Sequence, residues 1–503
     1  MTSIHSVAGG LVTAKRRLIA DEQGRVGPVA IAASALASVT PLLVISGLAT
    51  SAYGTTMVTN LTWAFAGAAV VLFLLVPGYV YMSEQTRIGG AIHAYVSLGL
   101  GSAAGVVAMA LALVAYFLLE AALYMLIGPQ AAEWAAAHWG VDLSWQSWSL
   151  IAWGLVTVLG LVRLGKALLL LAPLTVAEIL ISLWTSHDGL AHAAPGLGAH
   201  PLVHALVGNR AVWSLAGGFV GYVIACLGYE GWETTAAWVR EARHPRKAVT
   251  VATFSCLGVT TVMYILGLWA MQTRYGAQIV AVTAQLGPGA FFAMGGSGWM
   301  ATAGSGLLVT SALAGALAFH NIVARYLFTG ARVGVLPRWL EYAGVSRVPR
   351  RASLVQSVAA LGLILATWGL GWPAMTVFYV GGSTAGVLMM ILLVLNGVSI
   401  IKHLLGAIRR GARLRGTVGS HVLGVLGLAA MALGALWDFP TLLGVADDDP
   451  TLLRFALAGI GVVLIALARA LYLKKVHPER YRALAGAFDP APLLVGDVVA
   501  EAV

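Results

Sequence analysis

Twelve apolar runs, most of them about as long as a lipid bilayer is thick, constrain this chain more than any motif in it. A hydrocarbon core of ~30 Å takes about 20 apolar residues as a helix. The runs lie near 29–50, 60–82, 94–127, 148–164, 168–185 and 211–238, then 250–271, 294–329, 354–371, 374–401, 418–436 and 452–473. With 59% hydrophobic and 10% charged residues the chain falls outside soluble-domain composition, and strand patterning is absent. The fold class expected is an all-α polytopic membrane protein with twelve spans.

Lysine and arginine test the topology, because cytoplasmic loops retain them. With the amino terminus inside, 27 of the 30 basic residues fall on the inner side, and only Arg210, Arg274 and Arg454 fall outside it. Both termini are therefore expected in the cytoplasm of a cell-membrane protein. The net charge of +10 reads as topogenic and lipid-facing, with no nucleic-acid partner required. Cys226 and Cys256 both sit in expected helices and imply no disulfide framework. The amino-terminal segment is too polar ahead of its first apolar run for a cleaved signal peptide, so the first span is the expected insertion signal.

Most of the 60 glycines lie inside the runs, and pairs such as Gly101-x-x-x-Gly105 and Gly217-x-x-x-Gly221 read as close helix packing. Gly-Ser-Gly at 296–298 and Gly-Gly-Ser-Thr at 381–384 are not phosphate loops, since no strand precedes them and no Gly-Lys-Ser/Thr follows. Two spans are interrupted. Span 1 carries Pro41 mid-run with Ser46-Gly47 five residues on, and span 6 carries Gly228-Tyr229-Glu230-Gly231. They lie five spans apart, and interrupted helices at corresponding places in two halves point to the binding site of an inverted-repeat secondary transporter. Non-helical backbone survives at that depth only where protein buries it or a cavity borders it.

Three stretches carry a family resemblance. "EQTRIGGAIHAYVSLGLGSAAG" (84–105), "GYEGWETTAAWVREARHPRKAV" (228–249) and "ALAFHNIVARYLFTGARVGVLPRWL" (316–340) resemble the third-span entry, sixth span and eighth span of the amino acid-polyamine-organocation (APC) permease superfamily. The resemblance covers about residues 25–475. It implies a LeuT-type fold with spans 1–5 and 6–10 as inverted repeats and two extra C-terminal helices. The division it implies is a tail at 1–28, a first repeat at 29–185, an outer loop at 186–210 and a second repeat at 211–401. Spans 11 and 12 with their inner loop fill 402–475, and a tail fills 476–503. In much of that family span 1 carries a Gly-Ser-Gly-type tripeptide whose amides receive a substrate carboxylate. Thr40-Pro41 and Ser46-Gly47 stand in its place here, so amine recognition is more firmly expected than carboxylate recognition.

At a broken span the free carbonyls of one half-helix and the free amides of the next face a ligand, with both dipoles reinforcing them. Substrate contacts are expected from Thr40, Pro41, Leu42, Ser46 and Gly47 in span 1 and from Ala225, Cys226, Leu227 and Gly228 in span 6. Tyr229 and Trp232 are expected as an aromatic wall, with spans 3, 8 and 10 completing the pocket. Intramembrane carboxylates cost about 2.5–3.5 kcal/mol each on insertion scales and mark function by default. Glu178 and Glu230 are the first proton-coupling candidates, followed by Glu120 and His320. Glu120 is expected to snorkel toward the outer surface, and His320 to be a neutral, satisfied core histidine. Glu233 and Glu241 are expected in a solvated inner cluster with Arg240, Arg243 and Arg246. Thr310 and Ser311 keep a sodium site open as the alternative to a proton.

His187, His192, His200 and His204 gather in a loop rich in Gly, Ala and Pro, but their spacing matches no closed metal site, and no metal or cofactor is expected. The function expected is a permease, a secondary active transporter moving an amino acid or related organic amine by alternating access, with coupling expected to protons. The scarcity of carboxylates at depth argues against polyamines. An exchanger without ion coupling is the alternative in the same class. An intramembrane enzyme would need a paired nucleophile and base, and no His-Glu-x-x-His or Gly-x-Ser-x-Gly is present. A receptor on a transporter scaffold would need soluble appendages, for which two tails of roughly 28 residues leave little room.

Overall fold

The computed structural model describes residues 27–58, 61–85, 92–162, 164–207, 215–238, 245–296, 298–342 and 348–485. Both chain ends, Arg240, Glu241 and Arg243 therefore lie outside the described residues, as does part of each tail expected at 1–28 and 476–503. Among the described residues every regular element is helical. The first span is built in pieces: α1 (Pro28–Val39), a short turn Pro41–Leu43, a π-helical turn Val44–Leu48, and α2 (Ala49–Thr56). Then come α3 (Leu61–Gln85), α4 (Ile92–Leu100), α5 (Ser102–Trp139), α6 (Trp145–Gly160) and α7 (Leu164–Ala191). The second half has α8 (Leu215–Tyr229), α9 (Pro245–Tyr275), α10 (Trp299–Arg332), α11 (Arg350–Gly369) and α12 (Ala374–Arg409). It closes with α13 (Arg415–Trp437) and α14 (Pro450–Val476).

Among the described residues nine helices are long and apolar enough to cross a membrane. The three expected spans outside that set have identifiable reasons. At 16 residues α6 rises about 24 Å, short of a full core. α8, described over 15 residues, ends at the break of its span, and residues 208–214 before it lie outside the described residues. α7 is 28 residues long, but the side chains of its first turns lie outside the described residues. The third span also departs from the expected continuous run. Gly101, at φ 99 and ψ 169, separates α4 from α5 and turns the chain so that the two pack against each other. A side chain rarely adopts that φ, which is why glycine stands there.

α5 runs through the middle of the molecule, with α10 and α12 as its main neighbours. α3 packs on α9 and α13, and α9 on α1 and α7. The buried residues form one continuous apolar core reaching from α1 to α14. At the far side α14 is almost bare, with 6% of its most apolar stretch buried, as a peripheral helix facing lipid would be. Exposed Trp139, Trp299, Trp372 and Trp437 sit near helix ends, where amphipathic rings favour a membrane interface. Cys226 and Cys256 are both buried and free.

Candidate functional site

The two interrupted spans break in different ways and meet at their breaks. In span 1, α1 ends where Thr40 takes a left-handed conformation (φ 47, ψ 65), its N–H still donating to the Leu36 carbonyl at 3.1 Å. Pro41 then brings no N–H, so the Ala37 carbonyl loses its intrahelical donor. A β-branched residue at positive φ is a strained arrangement costing about 1–3 kcal/mol, and such strain gathers at functional sites. In span 6, α8 ends at Tyr229, Gly231 turns the chain at φ 111, and a 3-10 helix continues over Trp232–Trp238. A Cβ on Gly231 would lie 2.9 Å from both the Ser38 carbonyl carbon and the Val39 nitrogen. Glycine is thus required twice at this point, by conformation and by contact with the backbone of the other break.

Side chains from neighbouring helices hold the interrupted backbone. The Gly231 N–H donates to Glu233 Oε2 at 3.0 Å, and Tyr116 Oη on α5 donates to Glu233 Oε1 at 2.9 Å. Tyr79 on α3 donates to the Glu233 carbonyl at 2.6 Å, and Tyr264 on α9 donates to the Gly228 carbonyl at 2.6 Å. These bonds answer the demand that irregular backbone at membrane depth be satisfied by protein. They also overturn the solvated cluster expected around Glu233, which is buried and braces the break. Its sequence neighbourhood of arginines was misleading because the chain turns at Gly231 and carries Glu233 inward.

Between the breaks lies a cavity of about 50 Å³. Its lining includes Thr40, Leu43 and Val44 of span 1, Leu119 and Leu123 of α5, Leu227 and Glu230 of span 6, Phe319 of α10, and Phe378, Tyr379 and Gly382 of α12. Every lining residue is buried. Spans 1, 3, 6, 8 and 10 thus surround it. Beyond the α2 end, the short helix Ile279–Leu286 packs on α2, and Gly289–Ala293 on the π-helical turn.

Of the substrate contacts expected from sequence, Thr40 and Leu227 line this cavity, and Glu230 joins them. The others are placed elsewhere. Pro41 and Leu42 are buried in the span 1 turn behind it, and Ser46 Oγ donates to the Leu42 carbonyl at 2.7 Å. Gly47 faces Leu126, Gly228 faces Val44 and Phe65, Cys226 Sγ lies 4.0 Å from Met431, and Ala225 is packed in the core. Tyr229 donates to Thr261 Oγ1 at 3.1 Å and meets the Tyr264 ring at 5.1 Å, while Trp232 meets Tyr79 at 4.8 Å. Neither ring lines the cavity. The aromatic wall is instead Phe319, Phe378 and Tyr379, which sequence reasoning did not single out. The small-residue stretch at 381–384 was the available signal, since Gly382 opens α12 toward the cavity.

The carboxylates divide sharply. Glu178 on α7 is 4% exposed, and Ser311 on α10 donates to its Oε2 at 2.9 Å. Thr310 donates to the Leu307 carbonyl of its own helix at 3.0 Å. Glu120 is fully buried, which corrects the expectation that it snorkels. Tyr124 donates to its Oε1 at 2.9 Å, His320 Nδ1 lies 3.1 Å from the same oxygen, and Gln356 Nε2 donates to Oε2. His320 Nε2 in turn lies 2.8 Å from Ser353 Oγ, so α5, α10 and α11 are tied into one polar network away from the cavity. Glu230 is 5% exposed, lines the cavity, and its Oε2 has no hydrogen-bond partner.

Just past the C-terminal end of α7, His192 Nδ1 lies 3.3 Å from Asp188 Oδ1 of its last turn. Among the described residues no group of three or more His, Cys, Asp or Glu could hold a metal ion.

A polytopic helical protein whose two broken spans meet at a buried cavity is a secondary transporter in architecture, not an enzyme, and it has the LeuT-type fold. The amino acid permease family matches residues 27–437, and the chain belongs to that family within the APC superfamily. No curated protein sequence matches this chain significantly. Among solved structures, a mutant manganese transporter of Eremococcus coleocola is similar at TM-score 0.55 and 13% identity, covering 92% of this chain and 99% of its own. The same transporter in complex with an aromatic bis-isothiourea substituted compound gives TM-score 0.54 and 14% identity, covering 91% and 94%. At such identity the likeness shows the shared fold alone.

Proposed function

We propose that this permease carries an amino acid or a related organic amine across the cell membrane by alternating access, binding it in the cavity between the breaks of spans 1 and 6. The observation that carries the reading is that cavity itself, lined by buried residues from five spans and bordered by a carboxylate oxygen, Glu230 Oε2, without a hydrogen-bond partner. Residues 29–185 and 211–401 act as the two inverted repeats, in a twelve-span topology with both termini cytoplasmic. Glu178 serves as the coupling proton site. It joins α7 to α10 outside the cavity through Ser311, so its protonation would alter a contact between helices rather than a substrate contact. Ser311 is committed to that carboxylate and Thr310 to its own helix, which supports a proton over sodium.

Uptake of labelled amino acids and amines into proteoliposomes, with and without an inward proton gradient, tests this. Gradient-driven accumulation that Glu178→Gln abolishes while counterflow persists is expected. Uptake that needs a preloaded internal amine and ignores the gradient would make the chain an exchanger. Protease access to the tails in vesicles of both orientations tests the topology, with cleavage expected only from the cytoplasmic face.

A further inference from the structure

The geometry points to a cavity that selects an organic ammonium lacking a carboxylate, with Glu230 as the residue that determines this specificity. The inference rests on the transport reading above and narrows its substrate class. Among the described residues no Lys, Arg or His lines the cavity, so no described side-chain cation there would receive an acid group. Several of the backbone amides around the two breaks are committed as well. Thr40 N–H is held by the Leu36 carbonyl at 3.1 Å, Pro41 has none, and Val44 N–H is held by the Thr40 carbonyl at 3.2 Å. Across the cavity, Glu230 N–H is held by the Leu227 carbonyl at 3.1 Å and Gly231 N–H by Glu233 Oε2 at 3.0 Å. A carboxylate placed among these groups would be desolvated beside Glu230 with only neutral hydroxyls, those of Thr40 and Tyr379 among them, and no side-chain cation to replace its water, which is unfavourable.

An ammonium meets the opposite situation. Glu230 Oε2 is buried and unpartnered, so a cation beside it satisfies both groups at once. The rings of Phe319, Phe378 and Tyr379 border the same space and offer faces that attract a cation. Leu43, Val44, Leu119 and Leu123 supply an apolar wall for a hydrocarbon tail. Glu233, the nearby second carboxylate, is taken up by Tyr116 and Gly231, which leaves Glu230 as the single recognition charge at the cavity. The small volume favours short aliphatic chains.

The test compares pairs that differ only by the acid group: ethylamine against alanine, and isobutylamine against valine. Thermal stabilisation of the purified protein in detergent and uptake into proteoliposomes are both read, with 2-methylpropan-1-ol as a neutral shape control. Isobutylamine is expected to bind and be carried at least tenfold better than valine or the alcohol. Glu230→Gln should abolish that preference while keeping the unliganded unfolding midpoint, and Glu230→Asp should keep a preference for the amine over the alcohol. Valine carried as well as isobutylamine, or a preference that survives Glu230→Gln, overturns the inference and leaves the transport reading standing. Transport of no amine and no amino acid overturns both. Should Glu230→Gln not fold, the amine, acid and alcohol arms on the unmutated protein still decide the selectivity, and Glu230→Asp still tests the residue.

Discussion

Glu120 on α5 and Glu230 in the break of span 6 are both buried acids, yet their surroundings are opposites. Glu120 has Tyr124, His320 and Gln356 around it and is anchored onward to Ser353. Glu230 has an oxygen with no hydrogen-bond partner and lines the cavity. A carboxylate at membrane depth is expensive in either setting. In the first the neighbours offset the cost and the group holds three helices together. In the second the cost is left standing in the unliganded protein, and a ligand that relieves it gains affinity from doing so. Burial alone, then, does not separate the two; an unpartnered oxygen beside the cavity is what supports the proposal for Glu230.

Replacing Glu120 by Ala breaks this comparison most severely. It strands the Tyr124 hydroxyl, the Gln356 amide and one face of His320 in the core, and removing one partner of a buried pair costs about 3–5 kcal/mol. The unfolding midpoint in detergent should fall steeply, with transport lost in proportion to folded protein. Glu230→Gln should shift the same midpoint by less than about 1 kcal/mol, since no bond to Oε2 is removed, and should still lose transport. Equal destabilisation by both changes would mean that Glu230 is as structural as Glu120. Gly231→Ala comes next. Its positive φ and the 2.9 Å approach to Ser38 and Val39 predict a loss of about 1–3 kcal/mol, together with displaced breaks and impaired uptake even in the folded fraction.

What the sequence could disclose follows the range of the physics involved. The apolar runs are local and set by bilayer thickness, so the helices could be placed before any contact was known. Pro41 and Gly231 are local too, because each alters the backbone at its own position, and both breaks were legible. The third break, at Gly101, was not, since Gly101-x-x-x-Gly105 reads equally well as a packing motif. The Glu120 network was invisible because His320 and Gln356 lie 200 and 236 residues from it along the chain. Tyr229 and Trp232 were expected at the pocket, but a helix interrupted between them sends its side chains to faces that no periodicity predicts. Tyr229 turns to α9 and Trp232 to Tyr79, while Phe378 and Tyr379 of α12 reach the cavity instead.

Glu178 stands between the two extremes, with one identified donor, and its smallest perturbation sharpens the comparison most. Ser311→Ala removes the hydroxyl that donates to Oε2 and leaves that oxygen in the condition of Glu230 Oε2. A hydrogen bond to a charged or buried group contributes about 1–2 kcal/mol, so the unfolding midpoint should fall modestly, well short of Glu120→Ala. Thr310→Ala removes a hydroxyl that bonds only a carbonyl of its own helix, and should move it by less than about 0.5 kcal/mol. If the α7–α10 contact is where the proton acts, Ser311→Ala should lower the steady-state accumulation reached under a proton gradient while counterflow of the same amine is unchanged, and Thr310→Ala should alter neither. Equal loss of accumulation and counterflow would place Ser311 in the folding of the bundle rather than in its coupling. The pair would then belong with Glu120, as a carboxylate whose partner serves structure.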